Sequence, residues 1–346
     1  MFNRSVVLVG RWAFVVVGIL GLMGLLTIGQ GAWVRKADAP SERSSVAIAE
    51  LNGKLYLIGG LERGGGFDNT PAVEVYDPAN DSWGLVKDYP ERYHSARAVA
   101  ANGRIYVFGG FPRFANLPIS NKVFEYMPQR DLWQEKASMP TGRAGFGIVV
   151  LDGKIYTIGG FTGQGPSYSS SRAVEVYDHQ TNQWEMRASL PTARRYLTAA
   201  AVGGKIYAVG GYDGGPTLFN PLAITEIYDP LTNTWQAGTA LPKALGNIAS
   251  VVINNRIYVI GGDGSQEQCW ASVQNHKPQA SVSIYDPLTN KWSSGPSLGV
   301  IRSEVAAAVV DKTIYAIGGR RERCTISFVN EALVVGPQQH FYTRRE

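Results

Sequence analysis

An all-β chain built from six repeated units is what this sequence predicts, and three observations predict it. Gly-Gly doublets recur at Gly59-Gly60, Gly109-Gly110, Gly159-Gly160, Gly210-Gly211, Gly261-Gly262 and Gly318-Gly319. Each doublet ends an apolar run with a tyrosine at the same place: Tyr56, Tyr106, Tyr156, Tyr207, Tyr258 and Tyr315. Five units then carry a second tyrosine and, seven positions on, a tryptophan, in the pairs Tyr76/Trp83, Tyr126/Trp133, Tyr177/Trp184, Tyr228/Trp235 and Tyr285/Trp292. In the sixth unit, laying Val335-Gly336-Pro337 over Tyr76-Asp77-Pro78 puts Tyr342 at the tryptophan position.

Each unit divides into four strands, a to d. Strand a is rich in small residues, as in Ser95 to Ala101, Thr198 to Val202 and Val305 to Val309, which suits the crowded centre of a ring. The pairs Asn52-Gly53, Asn102-Gly103, Asp152-Gly153 and Gly203-Gly204 follow, and such pairs tolerate the two positive φ values of a tight hairpin. Strand b is almost wholly apolar (Ile105-Tyr106-Val107-Phe108), as expected when both faces are covered. Strands c and d are joined by turns such as Asp77-Pro78-Ala79-Asn80, Asp229 to Asn233 and Asp286 to Asn290, where Pro presets φ, Asp caps and Asn takes the left-handed position. The recurrent Tyr and Trp are read as core.

This pattern resembles the kelch repeat, a unit of about 50 residues that forms one four-stranded propeller blade. The resemblance covers roughly residues 40 to 346. It implies a six-bladed β-propeller, the architecture that the strand reading also reaches.

The chain has 33 basic and 28 acidic residues, interspersed without a long run of either sign, which argues against nucleic acid as a partner. Its N-terminus differs from the rest. Arg4 and Arg11 precede an uncharged run from Trp12 to Val34, closed by Arg35-Lys36. That run exceeds a signal-peptide core and matches the roughly 20 residues that cross a bilayer. The expected organisation is a cytoplasmic segment 1–11, a transmembrane signal-anchor helix 12–34, a linker 35–40 and a propeller 41–346. The alternative is a cleaved signal, since Ala37-Asp38-Ala39 has the small-x-small form, although Pro40 is unfavourable after the cut. A single N-terminal apolar segment ordinarily acts as an export signal, so the propeller is expected outside the cytoplasm.

Alternation of four antiparallel strands puts the b-to-c loops and the d-to-a links on one face and the short turns on the other. The b-to-c loops (61–72, 111–122, 161–173, 212–224, 263–281 and 320–331) differ in length and sequence, which suits a binding face. Arg43, Arg143, Arg194 and Arg302 stand sixteen residues before the first glycine of a doublet, with Tyr93 and Leu245 in the other two places. Glu74, Glu175 and Glu226 recur in step with the first three arginines, so this position is read as scaffold ion pairing rather than as a ring of ligand cations. Residues that break register are the ligand-binding candidates: Arg92, Tyr93, Arg113, Phe114, Tyr168, Arg195, Tyr196, Tyr212, Phe219 and Trp270. They combine exposed aromatics with cations, as binding hot spots do.

Catalysis finds little support. Of the four histidines, His179 and His340 fall on the short-turn face, and His94 and His276 lie three repeats apart, which places them on opposite sides of the ring. No metal or nucleophile motif is present and no cofactor is expected, so a copper site like that of galactose oxidase-like kelch enzymes does not fit. The leading expectation is a monomeric, membrane-anchored module that binds a protein or a glycan. The second is a carbohydrate-active enzyme resembling kelch-type sialic acid mutarotases. Cys269 and Cys324 fall in b-to-c loops of consecutive repeats and are expected to form a disulfide in an oxidising compartment. Counting from Arg43 gives every blade four contiguous strands, the last at His340 to Thr343. Blades one and six would then meet by face packing alone, aided by residues 34–39.

Overall fold

The computed structural model describes residues 31–62, 68–112, 117–214, 219–265 and 276–336. Among them are six four-stranded antiparallel sheets. The first runs Ala47–Leu51, Lys54–Ile58, Val73–Asp77 and Ser82–Val86, from innermost to outermost strand. The next four repeat that order, from Arg97–Ala101, Gly147–Leu151, Thr198–Val202 and Ala249–Ile253 at the centre to Leu132–Lys136, Gln183–Met186, Thr234–Ala237 and Lys291–Ser294 at the rim. The innermost strands touch their neighbours in sequence, and Ala306–Val310 of the sixth sheet touches Ala47–Leu51 of the first, which closes a ring.

The doublets join one sheet to the next. The second glycine donates its N–H to the backbone oxygen at the repeated arginine position of the following unit: Gly110 to Arg143 (3.0 Å), Gly160 to Arg194 (2.8 Å) and, across the closure, Gly319 to Arg43 (2.9 Å). The first glycine must lack a side chain, because at Gly109 (φ 59°) a Cβ would sit 2.2 Å from the Arg143 carbonyl oxygen. At the rim, each Tyr–Trp pair packs with centroids 4.8–5.1 Å apart. Each indole donates to the link that follows the preceding sheet, as Trp133 does to Lys87 O (3.1 Å) and Trp184 to Ala137 O (2.9 Å).

The sixth sheet corrects the expectation of contiguous strands. Its outer strand is Val34–Arg35, paired with Ala332 and Glu331 of Asn330–Val334. Trp33 therefore falls opposite Leu333, where Trp83 falls opposite Tyr76. Its indole donates to Pro296 O of the fifth unit at 2.8 Å, so it is the sixth tryptophan of the series. The repeat alignment was also two residues late: Ala316 pairs with Glu331 as Leu57 pairs with Glu74, so Leu333 and not Val335 occupies the tyrosine position. The expected last strand, His340 to Thr343, lies outside the described residues.

Two boundaries change with it. Trp33 and Val34, expected to end a membrane helix, belong to the ring, and residues 12–30 lie outside the described residues. Among those described, no helix is long and apolar enough to cross a membrane. The expected linker 35–40 is packed, with the N–H groups of Lys36 and Ala39 donating to Asn330 O and Phe328 O (both 2.9 Å). The turns behave as read, except that Asp81 rather than Asn80 takes the left-handed position in the first unit (φ 47°).

Candidate functional site

The repeated arginines are walled in. Arg43, Arg143, Arg194 and Arg302 are at most 2% exposed, and each pairs with a glutamate of strand c: Glu74 (2.7 Å), Glu175 (2.8 Å), Glu226 (2.8 Å) and Glu331 (2.5 Å). Burial pushes Arg194 and Arg302 down to about 10, while the partner glutamates pull them back up, so both stay charged at neutral pH. Other donors reach doublet and loop carbonyls, as from Arg143 Nη1 to Gly159 O (3.1 Å) and Ala173 O (3.0 Å). These groups hold the loops, and their burial keeps them from a ligand in solution. The scaffold reading of this position is the one the geometry supports.

Two residues after that position, each unit places one residue at positive φ beside the axis: Ser45, Ser95, Gly145, Tyr196, Asn247 and Glu304, with φ between 51° and 56°. Their backbones are chained round the mouth, since Ser95 N–H donates to Ser45 O (2.8 Å), Gly145 to Ser95 (2.9 Å), Tyr196 to Gly145 (2.5 Å), Asn247 to Tyr196 (3.0 Å) and Glu304 to Asn247 (2.9 Å). A non-glycine side chain at such φ costs energy, which the chained hydrogen bonds offset. Below this collar lies an axial cavity of about 230 Å³, lined by the collar residues except Gly145 and by Arg97, Thr198 and Ser250 among others.

The cavity is polar and bears opposite charges. Burial pushes the Glu304 carboxyl up, but Arg320 and the Ser45 hydroxyl, with His276 and His94, outweigh it and hold it below its ordinary range. Ser45 Oγ donates to Glu304 Oε2 at 2.5 Å, and Arg320 Nε donates to the same oxygen at 2.9 Å. Arg97 stands where the other innermost strands carry Ala47, Gly147, Thr198, Ala249 and Ala306. Its Nε donates to Phe146 O (2.9 Å) and its Nη1 to Ala96 O (3.4 Å), both carbonyls, and its pKa is lowered by burial. Burial likewise pushes His94 down to about 4, although Glu304 pulls it up, so it is neutral at pH 7.

Of the two histidines expected on opposite sides of the ring, His94 lies in the second unit, beside the collar residue Ser95, and His276 in the loop of the fifth unit. His276 is buried, with Nε2 2.9 Å from Ser303 Oγ and 3.6 Å from Asp263 Oδ2. Among the described residues, no group of three or more His, Cys, Asp or Glu side chains could hold a metal ion.

The register-breaking candidates divide. Tyr196 is in the collar and its hydroxyl is pushed up to about 12, mainly by burial. Arg92 is exposed, and Tyr93 and Tyr168 are half-buried. Arg195, Tyr212 and Phe219, expected as exposed, are at most 1% exposed. Arg195 is sandwiched by Phe161 (4.6 Å) and Phe219 (4.3 Å) and donates to Ser170 Oγ (2.7 Å) and Gly214 O (2.9 Å), while Tyr212 donates to Asp263 O (2.8 Å). The short loop strands Tyr212–Asp213 and Asn220–Pro221 fold back over them as a second tier, which explains the burial. Arg113, Phe114 and Trp270 lie outside the described residues. Cys324 is buried and disulfide-bonded, and Cys269 lies outside the described residues.

Sequence reasoning missed Glu304, Arg97, Ser45, Ser95 and Asn247. The available signal for four of them was a repeat position, two after the arginine, whose side chain varies from unit to unit while an apolar residue follows it in every unit. Arg97 was visible as the charged residue at the head of an innermost strand where the other units carry Ala, Gly or Thr.

A family model described as the KLHDC2/KLHL20/DRC7 Kelch-repeats domain matches residues 94–319, and one described as the Kelch motif matches residues 42–86. The chain is 28% identical over 159 residues to Kelch-like protein terF of Aspergillus terreus, covering 45% of this chain and 34% of that protein. It is 34% identical over 150 residues to mouse (Mus musculus) Kelch-like protein 35, covering 43% of this chain and 24% of that one. Alpha-scruin of Limulus polyphemus is 31% identical over 153 residues, 42% of this chain and 16% of its own length. The matches thus span about a third or less of these relatives. A solved structure titled "Structure of YjhT" shares the fold with a TM-score of 0.70 at 19% identity, over 86% of this chain and 96% of that one.

Proposed function

Because the chain belongs to the kelch-repeat family, we propose that it is a six-bladed propeller that binds a protein at the axial mouth of its long-loop face. The observation that carries this reading is the cavity collar, where one position per unit is fixed in backbone and varied in side chain. A fixed frame with interchangeable groups presents a specific set of donors and acceptors without disturbing the fold. Arg97 and Glu304 supply the charge and Ser45, Ser95 and Asn247 the neutral polarity, a set that suits the polar end of a peptide inserted along the axis. A glycan is the other occupant of the same chemistry. The ring is read as monomeric, held at a membrane and outside the cytoplasm by the apolar run before Gly31. The disulfide at Cys324 supports an oxidising compartment, and a Cys269–Cys324 bridge would tie the longest loop to the sixth unit. Two reactive thiols in the unreduced, denatured chain would reject that bridge.

Selection of a random peptide library on the full chain in detergent tests the binding reading. Selected peptides should lose at least tenfold in affinity on Arg97→Ala and on Asn247→Gly, about 1.4 kcal/mol, measured well below the melting temperature of each variant. Peptides that ignore both substitutions would move the site elsewhere. A glycan array read with the same variants separates the two ligand classes.

The convergence of Glu304, Arg97 and Tyr196 in one cavity also favours a second reading, the mutarotase-like enzyme. It requires the same preparation to speed the anomer equilibration of a sugar acid. A rate equal to that in buffer removes it.

A further inference from the structure

The strand order fixes which face the N-terminal run leaves from. Val34–Arg35 is a rim strand, and every rim strand here runs from the short-turn face to the long-loop face. The chain before it therefore emerges on the short-turn face. Gly31 confirms the place, because a Cβ there would lie 3.1 Å from Val334 O, at the short-turn end of Asn330–Val334.

The most exposed apolar tips of that face stand on one side, while Leu132, at the start of the second unit's rim strand, is 41% exposed. At the same position of the strand c to d turn, the first three units carry Ala79, Gln129 and Gln180, whereas the fourth and fifth carry Leu231 and Leu288. These leucines are 94% and 90% exposed, and Val334 of the sixth unit is 65% exposed. The three side chains stand on consecutive sheets, and the last of them borders the point where the N-terminal run departs. Nothing in the fold requires leucine there: the turn is held by Asp229 Oδ1 accepting from Leu231 N–H (3.0 Å) and Asp286 Oδ1 from Leu288 N–H (3.0 Å), bonds that any side chain permits. Around the tips, Lys291 and Lys312 are exposed, and Lys205 and Arg256 lie at 3.2 Å and 3.0 Å from Asp229 and Asp286.

We propose that Leu231, Leu288 and Val334 form a bilayer-docking edge, seated in the interface of the membrane that the chain's own N-terminal run enters. Leu231 and Leu288 stand beside the Lys205–Asp229 and Arg256–Asp286 ion pairs, and Lys291 and Lys312 are the exposed ammonium groups there, with Asp311 next to Lys312. Alkyl tips of this kind suit the boundary where apolar groups enter the acyl region and ammonium groups stay among the phosphates. The ring then leans on its fourth to sixth units, with the second unit raised and the long-loop face directed away from the lipid. The axial mouth is thereby presented to partners in solution. This inference rests on the membrane-anchored reading and adds an orientation to it.

The test uses the full chain reconstituted in vesicles of phosphatidylcholine and phosphatidylglycerol. Leu231→Cys, Leu288→Cys, Gln129→Cys and Lys277→Cys are each labelled with a polarity-sensitive dye, the unsubstituted chain serving as the labelling blank. Quenching by brominated lipid should be several-fold stronger at positions 231 and 288 than at 129, and absent at 277, with aqueous iodide showing the reverse order. Equal quenching at 231, 288 and 129 in a chain that floats with the vesicles would overturn the docking edge and leave the anchor standing. A chain that does not float with the vesicles would overturn both. All four positions are surface sites, and coincident melting of the variants excludes misfolding as the cause of a difference.

Discussion

The first five sheets and the sixth solve the same packing problem with different chain economy. In the former, all four strands come from one uninterrupted stretch; in the latter, three come from the end of the described chain and the fourth from its beginning. A ring made only of contiguous units would hold its first and last members by face contact. Here Val34–Arg35 adds backbone hydrogen bonding between the two ends of the chain. The link after it then supplies Ala37 O to the Trp83 indole (2.9 Å), so the closing joint uses the same contact as the joints inside the repeat series. The lesson is that the repeat in space begins about ten residues before the repeat in sequence.

Deleting residues 1–35 is the harshest way to test that difference, because it strips the rim strand and Trp33 and leaves a bare sheet edge. The expected loss exceeds the roughly 3–5 kcal/mol typical of removing a buried tryptophan, read as a large fall in melting temperature relative to a deletion of residues 1–30. Removing Phe341 to Glu346 should shift melting little, since the outer place that those residues were expected to fill is taken. If the C-terminal truncation were the damaging one, the closure described here would be wrong.

Trp33→Ala sharpens the comparison at a single side chain. Trp33 is half-buried, so the expected cost is about 1–3 kcal/mol, below the range for a fully buried tryptophan. It should match Trp184→Ala or Trp235→Ala, which occupy the same place in contiguous sheets and donate to Ala137 O and Ala188 O at 2.9 Å. Chemical denaturation of the three variants decides whether the borrowed strand carries its share.

Most of the ring was legible because its parts are local. The positive-φ hairpins and the Tyr–Trp pairs depend on residues within one unit, and the doublets recur because each meets the next unit in the same way; six copies in register cannot arise by chance. Trp33 was hidden for a physical reason: it sits at the end of an uncharged run whose composition suits a membrane helix, and its partner Leu333 is about three hundred residues away. The sixth unit also lacks the strand c tyrosine that the other five units carry, and Pro337 drew the alignment two residues late. The site was less legible than the fold. Aromatics and cations outside the repeat pattern were expected to be exposed, but Arg195, Tyr212 and Phe219 are buried under loop strands. Glu304 and Arg97 lie within the repeat register, where one unit's side chain becomes notable only when all six are seen to meet at the axis.

The smallest effect expected concerns the chemistry of the joints. At five of them one turn oxygen accepts both from the tyrosine of its own unit and from the backbone N–H of the preceding link. That atom belongs to an amide at Asn182, Asn233 and Asn290, with N–H donors Ala137 (2.9 Å), Ala188 (2.9 Å) and Thr239 (3.1 Å). It belongs to a carboxylate at Asp131, which serves Lys87 N–H (2.9 Å), and at Asp81, which serves Ala37 N–H (2.8 Å) on the borrowed segment. The tyrosine hydroxyl first, and the backbone N–H next, hold both carboxyls below their ordinary range. Their folded-state values are therefore depressed below the roughly 3.9 of an unfolded aspartate. The stability they contribute is fully present above that value and is lost as the pH falls through the lower, folded one. The closing joint is thus acid-sensitive, whereas the joints built on asparagine are not. Asp81→Asn should leave melting at pH 7 nearly unchanged and move the acid-unfolding midpoint to lower pH. Asn182→Asp should do the opposite by adding a titrating joint between the second and third sheets. Identical acid limbs for Asp81→Asn and the unsubstituted chain would show that the closure does not depend on this carboxylate.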